Sequence, residues 1–273
     1  MTHAATPHRL VRHAEAPWIE MRVSTDSAAC YRTHTHREYS VGIVDAGEAV
    51  FHHPSGPHRV GPGCAVAIEP EVPHACNCHR GRVWTYRMLY IKADWAHAAL
   101  ARHWALPQLP DALHFKQRLL RDPDWVGQLD RLCALLQSDA LPADLERQVT
   151  VWLAQQIRLG TSPDLPGVPS TLRPAFEAMT HDGAEPPTVQ SMARACGMHP
   201  STFVRQFKRV LGMTPGHYLQ NWRINGARRL IADGLPLAEA AHATGFADQA
   251  HLQRAFKAHH AMTPGRYANA SSR

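Results

Sequence analysis

No run of eighteen apolar residues occurs anywhere in the 273-residue chain, so no segment reads as a membrane-crossing helix. The opening stretch, MTHAATPHRLVRHAEAP, lacks the apolar core of a secretory signal, and the protein is expected to be soluble and cytoplasmic, with no membrane partner. Cysteine is sparse: Cys30, Cys64, Cys76, Cys78, Cys133 and Cys196 read as reduced thiols, several of them buried as small hydrophobes. CNCH at 76–79 lacks the CxxC spacing of a thiolate zinc site and reads as ordinary turn residues. Also missing are a Gly-rich phosphate loop, a serine nucleophile elbow and an isolated acid/base pair, which removes the usual catalytic apparatus.

What the chain does have is a duplication. FKRVLGMTPGHY begins at Phe207 and FKAHHAMTPGRY at Phe256; aligned without gaps, 201–218 and 250–267 agree at eight of eighteen positions. Two copies are too few for a solenoid, so each must be half of a small closed domain. The charge is placed with the repeat. The chain is +6 overall, with 12 Lys and Arg against 6 Asp and Glu from Pro169 onward and 17 against 17 before it. A basic C-terminal domain on a neutral N-terminal one is the asymmetry of a nucleic-acid binder with a separate second function.

Within the first copy, Val189, Met192 and Ala193 form an apolar face, Gly197 follows, and a second face runs through Phe203, Phe207 and Val210/Leu211. The second copy repeats this as Leu237, Ala240 and Ala241, then Gly245, then Leu252 and Phe256. Helix, glycine turn and helix in about twenty-five residues outline a helix-turn-helix. Thr214 and Thr263 are good N-caps with proline at the first helical position behind each. The first launches a long helix, PGHYLQNWRINGARRLIADG, that would join the two motifs. With the apolar stripes turned inward, Ser201, Val204 and Arg205 in one copy and Gln249, Ala250, Gln253 and Arg254 in the other are left outward as candidate base readers. Lys208, Lys257 and Arg223 are the candidate phosphate contacts.

These stretches, GMHPSTFVRQFKRVLGMTPGHYLQNWRINGARRLI and GFADQAHLQRAFKAHHAMTPGRY, closely resemble the DNA-binding domain of the AraC/XylS family of bacterial transcription regulators. The resemblance implies two helix-turn-helix motifs whose recognition helices enter the major groove of double-stranded DNA. It also implies a homodimer formed through the N-terminal half, a small-molecule effector and RNA polymerase as a further partner. Two departures stand out. Ala240 replaces a bulkier aliphatic residue, and HHA at 259–261 replaces an aromatic-glycine ending, so the second motif is expected to pack less tightly and hold DNA more loosely.

Toward the N-terminus, from Trp18 to about Ala93, short β-rich runs such as YSVGIV, CAVAIE and VWTYRMLYI alternate with DAGE, HPSGPH and GPG. That density of strands reads as an antiparallel barrel or sandwich. Beyond Pro123, Trp125, Leu129, Leu132, Leu135 and Leu136, then Leu145, Val149, Trp152, Leu153 and Ile157, make two helical stripes. The resulting hairpin either covers one sheet face or forms a dimer seam. GTSPDLPGVPS at 160–170 breaks all periodicity and marks the linker.

THTHREYSVG places His34, His36 and Glu38 at alternating positions, and His74 follows in PGCAVAIEPEVPHACN. The pattern resembles the two motifs of cupin barrels, which implies convergence of His34, His36, Glu38 and His74 on one pocket. Three imidazoles and a carboxylate suit a divalent metal (Zn, Ni, Fe or Mn); the other occupant is an organic effector against polar walls. The expected fold is therefore α+β with two domains. A cupin-like effector-binding and dimerisation barrel with its helical hairpin occupies 1–160, the linker 161–170, and an all-α DNA-binding domain 171–273. The function read from this is a ligand-controlled transcription regulator; a metal-dependent cupin enzyme tethered to a DNA-binding domain is the alternative.

Overall fold

A computed structural model describes residues 8–78, 82–109, 113–138, 140–160, 168–180 and 187–269. Most of the expected linker, and His79, lie outside the described residues. The N-terminal half contains eleven strands among those residues. They are β1 (His8–Arg12), β2 (Ile19–Ser27), β3 (Glu38–Ala46), β4 (Ala49–His53), β5 (Gly56–Val60), β6 (Ala65–Ile68), β7 (Ala75–Cys78), β8 (Trp84–Lys92), β9 (Leu113–Phe115), β10 (Leu119–Leu120) and β11 (Ile157–Leu159). Helices α1 (Ala93–His103), α2 (Pro123–Gln137) and α3 (Pro142–Gln156) are set among them.

The strands form a six-stranded sheet of order β1-β2-β8-β3-β6-β10, a three-stranded sheet β5-β4-β7 and a short pair β11-β9. All named pairings are antiparallel. The expected closed barrel is thus corrected: among the described residues no ladder joins the large sheet to the three-stranded one. Cys76 and Cys78, expected in a turn, lie in β7.

Period two explains the layers. Tyr39, Val41 and Ile43 of β3 and Leu89 and Ile91 of β8 share one core with Leu129, Leu132 and Leu136 of α2 and Leu145, Val149, Trp152 and Leu153 of α3. The alternate residues, Val44, Trp84, Tyr86 and Met88, meet Phe51 and Val60 of the small sheet in a second core. The central strands are buried on both faces, so their sequences read as nearly continuous apolar runs. The helical hairpin therefore covers the sheet, and its apolar stripe is consumed there.

Behind a short 3-10 turn, the C-terminal half contains α4 (Arg173–Thr180), α5 (Val189–Ala195), α6 (Pro200–Leu211), α7 (Pro215–Ala232), α8 (Leu237–Ala243), α9 (Gln249–His260) and α10 (Pro264–Ala268). Phe203, Phe207 and Leu211 anchor one helix-turn-helix core with Met192 and Tyr218. Leu252 and Phe256 anchor the other with Ile224, Ala241 and Phe246. Gly197 and Gly245 take φ of 63° and 74° at the two turns, the left-handed region that favours glycine. Thr214 accepts from the His217 amide and Thr263 from the Arg266 amide, with proline behind each as the repeat implied.

Ala240, Leu252 and Phe256 are all fully buried, so the second motif closes a core of its own around the smaller residue. The departure costs elsewhere. Gly212 ends α6 at φ 69°, whereas Ala261 ends α9 at φ 54°, and a Cβ in that region costs about 1 kcal/mol or somewhat more. Ala261→Gly is accordingly expected to stabilise the protein by about 1 kcal/mol. Equilibrium urea unfolding should show a higher midpoint with an unchanged slope.

Candidate functional site: an interdomain cavity and two recognition helices

His34 and His74 are fixed by backbone before their side chains are considered. Each donates its amide to the other's carbonyl at 2.9 Å, an isolated antiparallel bridge at the entrance to β7. His36 lies two residues before β3, in irregular chain rather than strand. The rings converge: centroids are 4.5 Å apart for His34 and His74 and 4.8 Å for His36 and His74. In all three, Nδ1 donates to a carbonyl, of Arg32, Glu38 and Val72 respectively, at 2.8–2.9 Å. A carbonyl only accepts, so each Nδ1 carries the proton and each Nε2 offers a lone pair. The Nε2 of His36 accepts from the Ser40 hydroxyl at 3.0 Å. Burial lowers the pKa of His34 to about 4 and that of His36 to about 3, with neighbouring positive charge adding to the effect. Near neutral pH the rings are uncharged.

Glu38 does not join them. Its carboxylate is paired with Arg228 of α7, which also reaches Glu20 at 3.2 Å. Among the described residues no group of three or more His, Cys, Asp or Glu side chains is arranged to hold a metal ion, which corrects the four-residue ligand set. The physical reason is a competing partner: Glu38 neutralises a guanidinium from the other domain.

That pair is one part of a continuous interface. Asn221 of α7 accepts from the Thr35 amide at 3.3 Å and donates to the Thr35 carbonyl at 3.0 Å, and Asn225 donates to the same carbonyl at 2.8 Å. Tyr218 donates to Glu71 at 3.3 Å, and Tyr267 to Glu20 at 3.1 Å. The backbone between His34 and His36 is thus read out by the long helix that joins the two DNA-binding motifs.

The cavity beside the histidines, about 40 Å³, is shared between the domains. Its walls include Arg22 and Tyr90 from the large sheet, His34 and His74, and His259 and His260 from the last turn of α9. The His34 and His259 rings lie 5.0 Å apart. Neither His259 nor His260 was among the candidate site residues, although the repeat carried a signal. They occupy the positions of Val210 and Leu211 in the first copy, and Leu211 is buried in its motif's core. Two imidazoles where the other copy is apolar mark a surface with a different neighbour. A wider cleft of about 600 Å³ opens alongside, lined by Arg12, Arg37, Glu38, Arg228 and Tyr267 among others.

On the DNA-binding side, Ser201 and Arg205 of α6 and Gln249, Ala250, Gln253 and Arg254 of α9 are exposed, and Val204 is half-buried. Lys208 and Lys257 are exposed as well; Arg223 on α7 is half-buried, with its Nε buried and unpartnered. The C-terminal turn of α9 meets the sensor domain through the His259–His34 ring contact.

Residues 24–153 match the model of the AraC-like ligand binding domain, and residues 192–270 that of a helix-turn-helix domain. The chain belongs to the AraC family of transcription regulators. It joins an N-terminal ligand-binding domain to a helix-turn-helix DNA-binding domain, as its sequence implied. It is 24% identical over 226 residues, 81% of each chain, to the uncharacterized HTH-type transcriptional regulator YbfI of Bacillus subtilis. With a putative AraC-like regulator of Streptomyces lividans it shares 35% identity over 185 residues, 66% of this chain and 55% of that one. In fold it is similar to ToxT of Vibrio cholerae. An apo ToxT structure superposes with a TM-score of 0.58 at 12% identity, covering 92% of this chain and 97% of that one. A ToxT structure with an unsaturated fatty acid bound gives 0.54 at 11%, covering 98% and 96%. Among the described residues no helix of this AraC-family protein is long and apolar enough to cross a membrane.

Proposed function

We propose that this regulator takes its small-molecule effector in the cavity shared by the sensor sheet, α7 and α9, and that occupancy changes how the second helix-turn-helix engages double-stranded DNA. One observation carries the reading: His259 and His260, on the second recognition helix, stand in the same wall as His34, His36 and His74. A molecule bound there touches both domains, so its different affinity for docked and undocked arrangements can shift the balance between them. ToxT, which shares the fold, has structures with acid ligands bound, which supports a ligand-controlled reading. Base reading is assigned to Ser201, Val204, Arg205, Gln249, Ala250, Gln253 and Arg254, and phosphate contact to Lys208, Lys257 and Arg223. The working unit is a cytoplasmic homodimer joined through residues 1–160 that acts with RNA polymerase and performs no catalysis. The family matches end at 153 and resume at 192, which supports a linker at 161–170 and an autonomous DNA-binding domain over 171–273.

Changing His36 and His74 together to alanine is expected to abolish the effector response while leaving basal operator affinity nearly unchanged. Operator binding with and without a metabolite library measures both. A double mutant with wild-type response places the effector elsewhere. A fragment beginning at Pro169 is expected to bind the operator on its own, more weakly than the intact protein. A folded fragment with no affinity for that operator would rule out the two-module reading.

A further inference from the structure

Arg22 is an anomaly in the cavity wall. It is 6% exposed, and among the described residues it makes no ion pair. Its guanidinium donates to the Tyr31 hydroxyl at 2.6 Å and lies over that ring at 5.4 Å, while its Nε is buried with no partner. Arg228, the other guanidinium of the wall, is neutralised by Glu20 and Glu38. A buried charge without a counter-charge is costly, and native proteins normally pair it. A buried guanidinium with free donors is chemically matched to an anion, and to a carboxylate in particular.

Opposite charges and donors, the histidines present the complementary chemistry. With Nδ1 committed to backbone carbonyls, His34 and His74 have only Nε2 lone pairs to offer; these accept hydrogen bonds and repel a bare anion. A ligand that suits both walls has a carboxylate at one end and an O–H donor next to it. At about 40 Å³ the cavity is small, which favours a short acid. A cation fits poorly, since Arg22 faces the cavity and Glu38 faces away.

We propose that the effector is a small 2-hydroxy acid, its carboxylate held by Arg22 and its hydroxyl donating to the imidazole Nε2 of His34 or His74. This rests on the cavity being the effector site and goes further by naming the class of ligand. The phenol of Tyr31, already bonded to Arg22, fixes the guanidinium plane, and the α9 histidines close the side of the cavity that belongs to the DNA-binding domain.

The test uses the full-length protein at constant ionic strength, with sodium lactate, glycolate, acetate and phosphate, and neutral lactamide, each titrated by calorimetry and by thermal unfolding. Lactate and glycolate are expected to bind and to raise the melting temperature with concentration, as any ligand of the folded state does. Acetate and phosphate should bind about tenfold or more weakly, and lactamide should show no shift. Arg22→Met should lose lactate binding yet melt higher than wild type without acid, because an unpaired buried charge has gone; a structural arginine would melt lower. Arg22→Lys should retain part of the affinity. If Arg22→Met does not fold, the wild-type comparison of lactate with lactamide decides alone. Absence of acid binding, equal binding of lactate and lactamide, or equal lactate affinity in wild type and a folded Arg22→Met overturns the proposal. A neutral compound that binds Arg22→Met but not the His36/His74 double mutant would overturn the acid while keeping the cavity as effector site. Lactate bound equally by wild type and that double mutant would remove the cavity itself.

Discussion

Arg228→Ala is expected to cost about 3–5 kcal/mol, the penalty for stranding the partners of a buried ion pair. The side chain is 8% exposed and those of Glu20 and Glu38 15% and 20%, so solvent cannot replace the lost guanidinium. Glu20 would keep Arg12 at 3.1 Å, whereas Glu38 would keep no ion-pair partner among the described residues. The loss should be read in urea unfolding and in faster proteolysis between the two domains. Replacing the one pair, Arg228→Met with Glu38→Gln, should recover most of the stability, since those two charges are removed together and Glu20 keeps Arg12. Unfolding of Arg228→Ala at the wild-type midpoint would mean that the pair contributes nothing to docking.

The second large effect belongs to the recognition helices. Arg205 and Arg254 occupy the same repeat position, both exposed, and arginine is the commonest bidentate reader of guanine in the major groove. Arg205→Ala should cost about 1–3 kcal/mol on the preferred operator and relax choice at one base position. Arg254→Ala should relax a position about one helical turn, roughly 10 bp, away. Selections from randomised operators with each variant separate the roles. Uniform weakening with the same base preferences would make both arginines phosphate clamps.

Much of this was legible in the sequence because the signals were local. The capped, proline-started helices, the glycine turns and the inward phenylalanines each depend on residues within one turn of helix or one hairpin. The β-rich runs of β3 and β8, set off by turn residues, gave the strands. What could not be read was long-range. Glu38 looked like a ligand by spacing, yet its partner is 190 residues away, and no period in the sequence announces such a pairing. His36 and Glu38 were assigned to one strand face, but the strand begins only at Glu38, and the turn before it points the two side chains to different neighbours. The barrel reading failed for a related reason. A continuous apolar run specifies that a strand has two buried faces, not whether ladder bonds or side chains fill the gap between sheets. His259 and His260 were noticed as a departure and read as a packing defect, because a helix's own pattern does not reveal what lies across from it.

The histidine pair at the end of α9 has a consequence for building chimaeras. Regulators of this architecture invite exchange of one sensor for another at the linker, on the premise that ligand choice and operator choice are inherited separately. Here the exchange would cut through the cavity: the incoming DNA-binding half would bring its own residues to the wall that His259 and His260 now form. The seam that preserves the pocket does not follow the chain. A graft that keeps those two histidines on the foreign helix should transplant the sensor intact, and one that drops them should transplant a pocket missing a side.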